Sequence, residues 1–129
     1  MNRLPILCAR LALGAAFLSA VAARFGLWLD RGPHPFTAFI QYTGEVNSFL
    51  PPVTYPFLAV AATIAETLLG IALIAGFRLR QTALAAAILL AIFGAAMTVS
   101  GGIKSALDAS VFSASACAWL LARAEPRLH

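Results

Sequence analysis

Charge is the scarcest commodity in this chain. Only 11% of its 129 residues are Asp, Glu, Lys or Arg, where ordinary soluble domains carry about 25%. A chain this short cannot hide the matching apolar excess in a core, because its surface is large relative to its volume. That excludes a water-soluble enzyme, a nucleic-acid-binding domain and a disordered segment. Histidine is nearly absent: His34 lies between prolines in a connecting segment, and His129 is the last residue. No apolar segment therefore offers a histidine ligand to haem. The two cysteines, Cys8 and Cys117, lie in apolar runs without C-x-x-C or metal-ligand spacing. A disulfide framework and a zinc site are excluded, and both residues read as small hydrophobes. The sequence also lacks a phosphate-binding glycine loop, a Ser–His–Asp set and an internal repeat.

What is there is apolar. Hydrophobic residues make up 61% of the chain and the mean hydropathy is +0.88, so the expected solvent is lipid. A hydrocarbon-spanning helix needs about 20 mostly apolar residues. Four segments approach this length: 4–29, interrupted by Arg10 and Arg24; 55–77, whose only charge is Glu66; 81–100, which has none; and 107–122, with Asp108 near its start. Lipid leaves backbone groups unsatisfied and no period-2 alternation is present, so these segments read as helices. The predicted fold is an all-α, antiparallel four-helix membrane bundle forming one domain over residues 1–129.

Helix boundaries have local reasons. Thr54 before Pro56 starts the second span. Gly76 and the FRLRQ run close it and turn the chain straight back, and Gly101-Gly102 stops the third. Ser105 and Asp108 have the spacing of a capping box for the fourth, with the carboxylate complementing the helix dipole. Between the first two spans lies a connection that holds four of the seven prolines and many of the aromatics. Phe36, Phe39, Ile40 and Thr43 share one helical face there, which predicts a short interfacial helix. Trp28, Tyr42 and Tyr55 suit an aromatic belt. Together with Phe36 and Phe39 they either anchor this connection at the headgroups or form a lid over a cavity.

Arg3, Arg78, Arg80, Arg123 and Arg127 fall on one side of this topology, and Arg31 and Lys104 on the other. The positive-inside rule then predicts cytoplasmic termini and an outer aromatic loop in a bacterial or archaeal cell (inner) membrane. A competing reading takes the N-terminal segment as a cleaved leader ending near Ala20-Val-Ala22. The apolar run continuing to Leu29 favours a retained span.

The charges inside the spans are the candidate site. Arg10, Gly14, Phe17, Val21, Arg24 and Trp28 form one stripe at helical spacing. Both arginines can face the bundle interior or snorkel to an interface. Glu66 lies about 16 Å into its helix, too deep to snorkel, and must be paired or protonated. By depth Arg24 is its better partner. Thr63, Thr67 and Gly70 accompany Glu66 on a small, polar strip. Glu66, Arg24, Arg10, Thr63 and Thr67 therefore form either a structural polar centre or a ligand or proton site. Ala83, Ala87, Ala91 and Ala95, at every fourth position, predict a close helix contact. Ser110, Ser113 and Cys117 share a face of the fourth helix, and packing is the simplest reading for hydroxyls there.

One ordered set of residues carries a resemblance: Arg10; Arg24-Phe-Gly in LSAVAARFGLW; NSFLPP; Glu66, Gly70 and Gly76 in ATIAETLLGIALIAGFRLRQTALAAA; and Leu107-Asp108 in GGIKSALDASVFSASACAWLLA. Over nearly the whole chain it resembles the DoxX-like family of small four-helix membrane proteins. The family takes its name from members similar to small subunits of an archaeal terminal oxidase and of thiosulfate:quinone oxidoreductase, and others are associated with redox homeostasis. The resemblance implies a non-catalytic accessory or quinone-contacting subunit in quinone- or sulfur-linked redox metabolism. It implies no cofactor of the chain's own beyond a contacted quinone, and no established catalytic residue. The expected partners are the lipid bilayer, subunits of a redox complex or further copies of the chain, and not nucleic acid. Two alternatives stand beside this one: a small proton-coupled transporter with Glu66 as its membrane carboxylate, and a structural or assembly protein whose Glu66–Arg pair fixes helix register.

Overall fold

The computed structural model describes residues 3–27 and 35–124, apart from the side chain of residue 105. All regular structure among these residues is helical. The order is α1 (Arg3–Arg24), α2 (Pro35–Val46), a 3-10 turn (Pro52–Thr54), α3 (Tyr55–Ala75), α4 (Leu79–Gly101), α5 (Ile103–Asp108) and α6 (Val111–Ala124). Three helices are long and apolar enough to cross a membrane: α1, α3 with its preceding turn, and α4. The segment expected as a fourth span is divided, because Ser110 adopts a left-handed φ of 57° and separates α5 from α6. The 14 residues of α6 rise about 21 Å, less than the ~30 Å of a hydrocarbon core.

The junctions follow from particular residues. Gly76 closes α3 in the left-handed region at φ 75°, and Phe77 N–H reaches back to Ala72 C=O at 3.0 Å, the hydrogen-bond pattern of a Schellman ending. Thr54 marks the start of α3, but its hydroxyl donates to Pro51 C=O at 2.7 Å and does not cap the helix. The helix start expected at Ser105, with Asp108 in its first turn, lies instead at Ile103. Gly102, at φ 87°, interrupts the chain for one residue only, and α5 restarts at Ile103. Ser105 then falls inside α5 and Asp108 becomes its last residue. The Asp108 carboxylate pairs instead with Lys104 Nζ, 2.6 Å away on the exposed surface.

The helices pack chiefly as two pairs, α1 with α3 and α4 with α6. Glycines set the first pair. A Cβ on Gly14 would stand 2.6 Å from the Ile74 side chain and 2.9 Å from Gly70 C=O, and one on Gly70 would stand 2.9 Å from Leu18. The two backbones thus approach closely, as small residues permit in membrane proteins. In the second pair the Phe112 ring lies against Gly94, and Ser115 Oγ donates to Ala87 C=O at 2.7 Å. The face α4 buries runs Ala83, Ala86, Ala87, Gly94 and Met97. Ala91 and Ala95 are exposed, so the strict fourth-residue stripe is corrected: at 3.6 residues per turn, steps of four drift around the helix. Likewise Ser115, not exposed Ser113, bonds to the neighbouring helix.

One cluster, including Ile6, Leu13, Phe17, Leu73, Leu79, Ala83 and Leu121, joins the two pairs at the end where α3 turns into α4. The turn and this cluster mark the inner end of the helices. Toward the other end α2 lies across α1, α3 and α4.

Candidate functional site

Arg24 is the last residue of α1, and its side chain reaches α3. Nη2 forms an ion pair with Glu66 Oε2, and no hydrogen bond from another described residue reaches that oxygen. Nη1 donates to Thr63 Oγ1 at 3.1 Å, and the Thr63 hydroxyl in turn donates to Ala59 C=O at 2.8 Å. The guanidinium carbon stands 3.8 Å from the centroid of the Phe39 ring on α2, a cation–π contact that gains strength when desolvated. Arg24 retains 9% of its exposure and Glu66 4%. A charge at this depth persists only when paired or facing a cavity, and both conditions hold here.

Not every candidate joins this cluster. Arg10 shares the stripe of Arg24 but stands 14 residues, or about 21 Å, along the same helix. It is therefore separated from Glu66. Its Nε donates to Leu73 C=O at 3.1 Å and its Nη2 to Ile74 C=O at 3.0 Å. Arg10 thus completes the C-terminal end of α3, where carbonyls lack helical partners. Thr67 Oγ1 bonds back to Thr63 C=O at 2.7 Å, one turn from the pair and with its hydroxyl engaged within its own helix.

The aromatics divide in the same way. Phe36, Phe39 and Tyr42 make a ladder along α2, continued by Phe25, which stacks on Phe36 at 5.5 Å and 18°. Phe39 and Tyr42 line a cavity; Phe36 does not. Tyr55 donates to Leu50 C=O at 3.1 Å, and a Cβ on Gly44 would stand 2.6 Å from its ring. It thus holds the junction of α2 with α3. Trp28 lies outside the described residues.

A cavity under the aromatic connection was one of the two readings of the sequence, but its walls were not identified. It measures about 550 Å³ and lies between α1, α2, α3 and α4, with Ala109 and Val111 beside α6. Arg24 and Glu66 are its charged groups, Tyr42, Thr43 and Asn47 its other polar residues, and the rest of its wall is apolar. Small side chains make the space: Ala61, Ala62 and Ala65 on α3 and Ala96 on α4. Their spacing is the available sequence signal, since 62 and 65 flank the face of Glu66, at i−4 and i−1, and extend it with small side chains. Phe93 and Met97 were likewise missed, because an apolar residue in a span carries no mark of which neighbour it meets.

A guanidinium has five N–H donors, more than Thr63 and Glu66 engage. Among the described residues Thr63 and Glu66 are its acceptors, and with Phe39 they hold Arg24 at the cavity wall. With all regular structure helical among the described residues, three membrane-length apolar helices and a charge pair buried between two of them, this is a multi-pass membrane protein in contact with the lipid bilayer. Residues 6–101 match the DoxX family. The chain belongs to that family. No curated protein and no solved structure matches it.

Proposed function

We propose that this chain is a non-catalytic accessory subunit of a quinone-linked membrane redox system and that its cavity holds the quinone head. The observation that carries this reading is the cavity of about 550 Å³ with an apolar wall and the Arg24–Glu66 pair at its edge. Small-molecule sites have volumes of about 300–1,000 Å³, mostly apolar walls and a few convergent polar groups. A quinone head is a flat apolar ring with carbonyl acceptors. Phe39 and Phe93 offer aromatic surface, and the Arg24 guanidinium and Tyr42 hydroxyl offer donors. When bound, a quinone carries electrons and protons through the bilayer; the residues here bind and orient it.

In this reading α6 completes an antiparallel four-helix bundle in the cell inner membrane. Arg3, Arg78, Arg80 and Arg123 mark the cytoplasmic end, and the outer end carries Lys104. The lid, α2, then lies at the outer interface. Redox subunits, or further copies of the chain, are its partners.

The test is retention of quinone by the full-length protein in mild detergent, measured by extraction and chromatography per mole of folded protein. Wild type is expected to retain quinone. Glu66→Gln keeps the side-chain shape but releases Arg24, and binding should weaken about tenfold, the scale of one charge-assisted hydrogen bond. Wild type retaining no more quinone than an unrelated membrane protein, or a Glu66→Gln variant binding unchanged, defeats the proposal. A purely structural role is favoured by the fact that Arg24 finds Glu66, Thr63 and Phe39 within its own chain. That role predicts a lower folded yield for Glu66→Gln with no change in quinone per folded molecule.

A further inference from the structure

α3 and α4 leave their shared turn in contact, with Leu73, Leu79 and Ala83 in one cluster. Farther out they face each other across the cavity, α3 through Leu58, Ala61 and Ala65 and α4 through Leu89, Ile92 and Ala96. Four cavity-lining residues are exposed: Ala61 on α3, Ile92 on α4 at 58%, Tyr42 on α2 at 47%, and Ala109 ahead of α6. Ala61 and Ile92 place one of its openings between α3 and α4. At 1.5 Å per residue, Ala61 stands about 21 Å above the inner end of α3 and Ile92 about 20 Å above the inner end of α4. The two face each other at one level. That level falls within a hydrocarbon core about 30 Å thick. The surface beside the opening is apolar, with Val60, Ile64 and Ile88 all exposed. Glu66 lies deeper, about 14 Å above the inner end of α3.

The outer face of the cavity is covered differently. Phe39 packs over Arg24, and Thr43 and Val46 line the space from above. The far end of α2 is tied to α4: Ser100 Oγ donates to Val46 C=O at 2.8 Å and accepts from Ser48 N–H at 3.2 Å. The lid is thus held at both ends, while the gap between α3 and α4 is bounded only by alanines and branched aliphatics.

We infer that the cavity is loaded sideways from the bilayer through the α3–α4 gap, and that its ligand is an amphiphile whose long isoprenoid tail stays in that gap while its head sits at Arg24 and Glu66. The inference rests on the proposed head site and adds to it the tail, the route and the residues that select them. Ala61, Ala65 and Ala96 leave a slot, Ile92 forms its outer rim, and the tail exchanges one apolar surrounding for another.

The experiment uses two probes with the full-length protein in lipid nanodiscs. One is a dimethoxy-methyl-benzoquinone without a tail. The other is the same head on a long isoprenoid tail that carries a diazirine. Irradiation followed by peptide mass spectrometry should place the label on α3 and α4 around Ala61, Ile64, Ile88 and Ile92. Ile64→Trp and Ile88→Trp, at exposed positions beside the opening and outside the cavity wall, should weaken the tailed probe about tenfold and the tailless probe by less than about twofold. Label on α1 or α6, equal loss of both probes, or no loss of either overturns the lateral route. If wild type binds neither probe the head site itself fails. If it binds the tailless head normally and only the label or the plug variants disagree, the head site stands and the route falls.

Discussion

The Arg24–Glu66 pair shows what one residue contact does in lipid. Each charge alone is costly at this depth, and each removes the other's cost. Deleting one partner leaves the other buried and uncompensated, which costs about 3–5 kcal/mol, whereas replacing both with apolar groups of similar volume is often close to neutral. Arg24→Met and Glu66→Leu should therefore each destabilise the protein by that order, and the double variant should recover most of the loss. Unfolding in bicelles followed by helical circular dichroism measures all three. Additive losses would show that each residue is held by contacts outside the pair. The double variant should still lose quinone, which separates folding from binding in one series. The pair was legible in the sequence because depth is arithmetic: rise per residue brings Arg24 and no other cation within reach of Glu66. Arg10 was misplaced by the same periodicity, since sharing a helical face says nothing of sharing a level. Its partners are backbone carbonyls, which leave no mark in the sequence.

At the scale of the element, the end of α3 is built from two helices. Gly76 supplies the left-handed residue and Arg10 of α1 supplies donors for Leu73 and Ile74 C=O. A Cβ on Gly76 would stand 2.6 Å from Arg10 Nη2, so the bare glycine also makes room for the guanidinium. Arg10→Ala should cost about 2 kcal/mol through its lost charge-assisted hydrogen bonds. Gly76→Ala should cost about 1–2 kcal/mol from the left-handed backbone alone, and more from displacing Arg10. Because both act on one contact, the double variant should lose less than the sum. Hydrogen exchange at Gly76 and Phe77 and the unfolding midpoint report it, and strict additivity would contradict the shared contact. Signals of this kind are readable when the residue enforcing them is the residue that moves, as with Gly76. The Ser105–Asp108 spacing misled because a capping box is a pattern of side chains, whereas the start of α5 is fixed by the single-residue break at Gly102.

The whole molecule divides by height. At the inner end the two helix pairs share one close-packed cluster, with Leu73 fully buried; at the outer end they separate around a cavity under α2. No residue pattern encodes that separation, which is why the interfacial helix was expected from its aromatic face while the space beneath it stayed one of two readings. The division implies that stability and ligand binding reside in different halves. Leu73→Ala should destabilise the protein by about 2 kcal/mol, the low end of the range for buried leucine, because in lipid the packing loss remains while the transfer from water does not. Quinone retained per folded molecule should stay unchanged. Hydrogen exchange should agree, with the slowest amides near Leu73 in α3, Ala83–Ala87 in α4 and Ala118–Ala122 in α6, and faster exchange along α2, which rests on fewer buried residues. If Leu73→Ala instead lowers quinone retention as strongly as Glu66→Gln does, the two ends are one cooperative unit, and the cavity is held open by the inner core rather than by the Arg24–Glu66 pair and its lid.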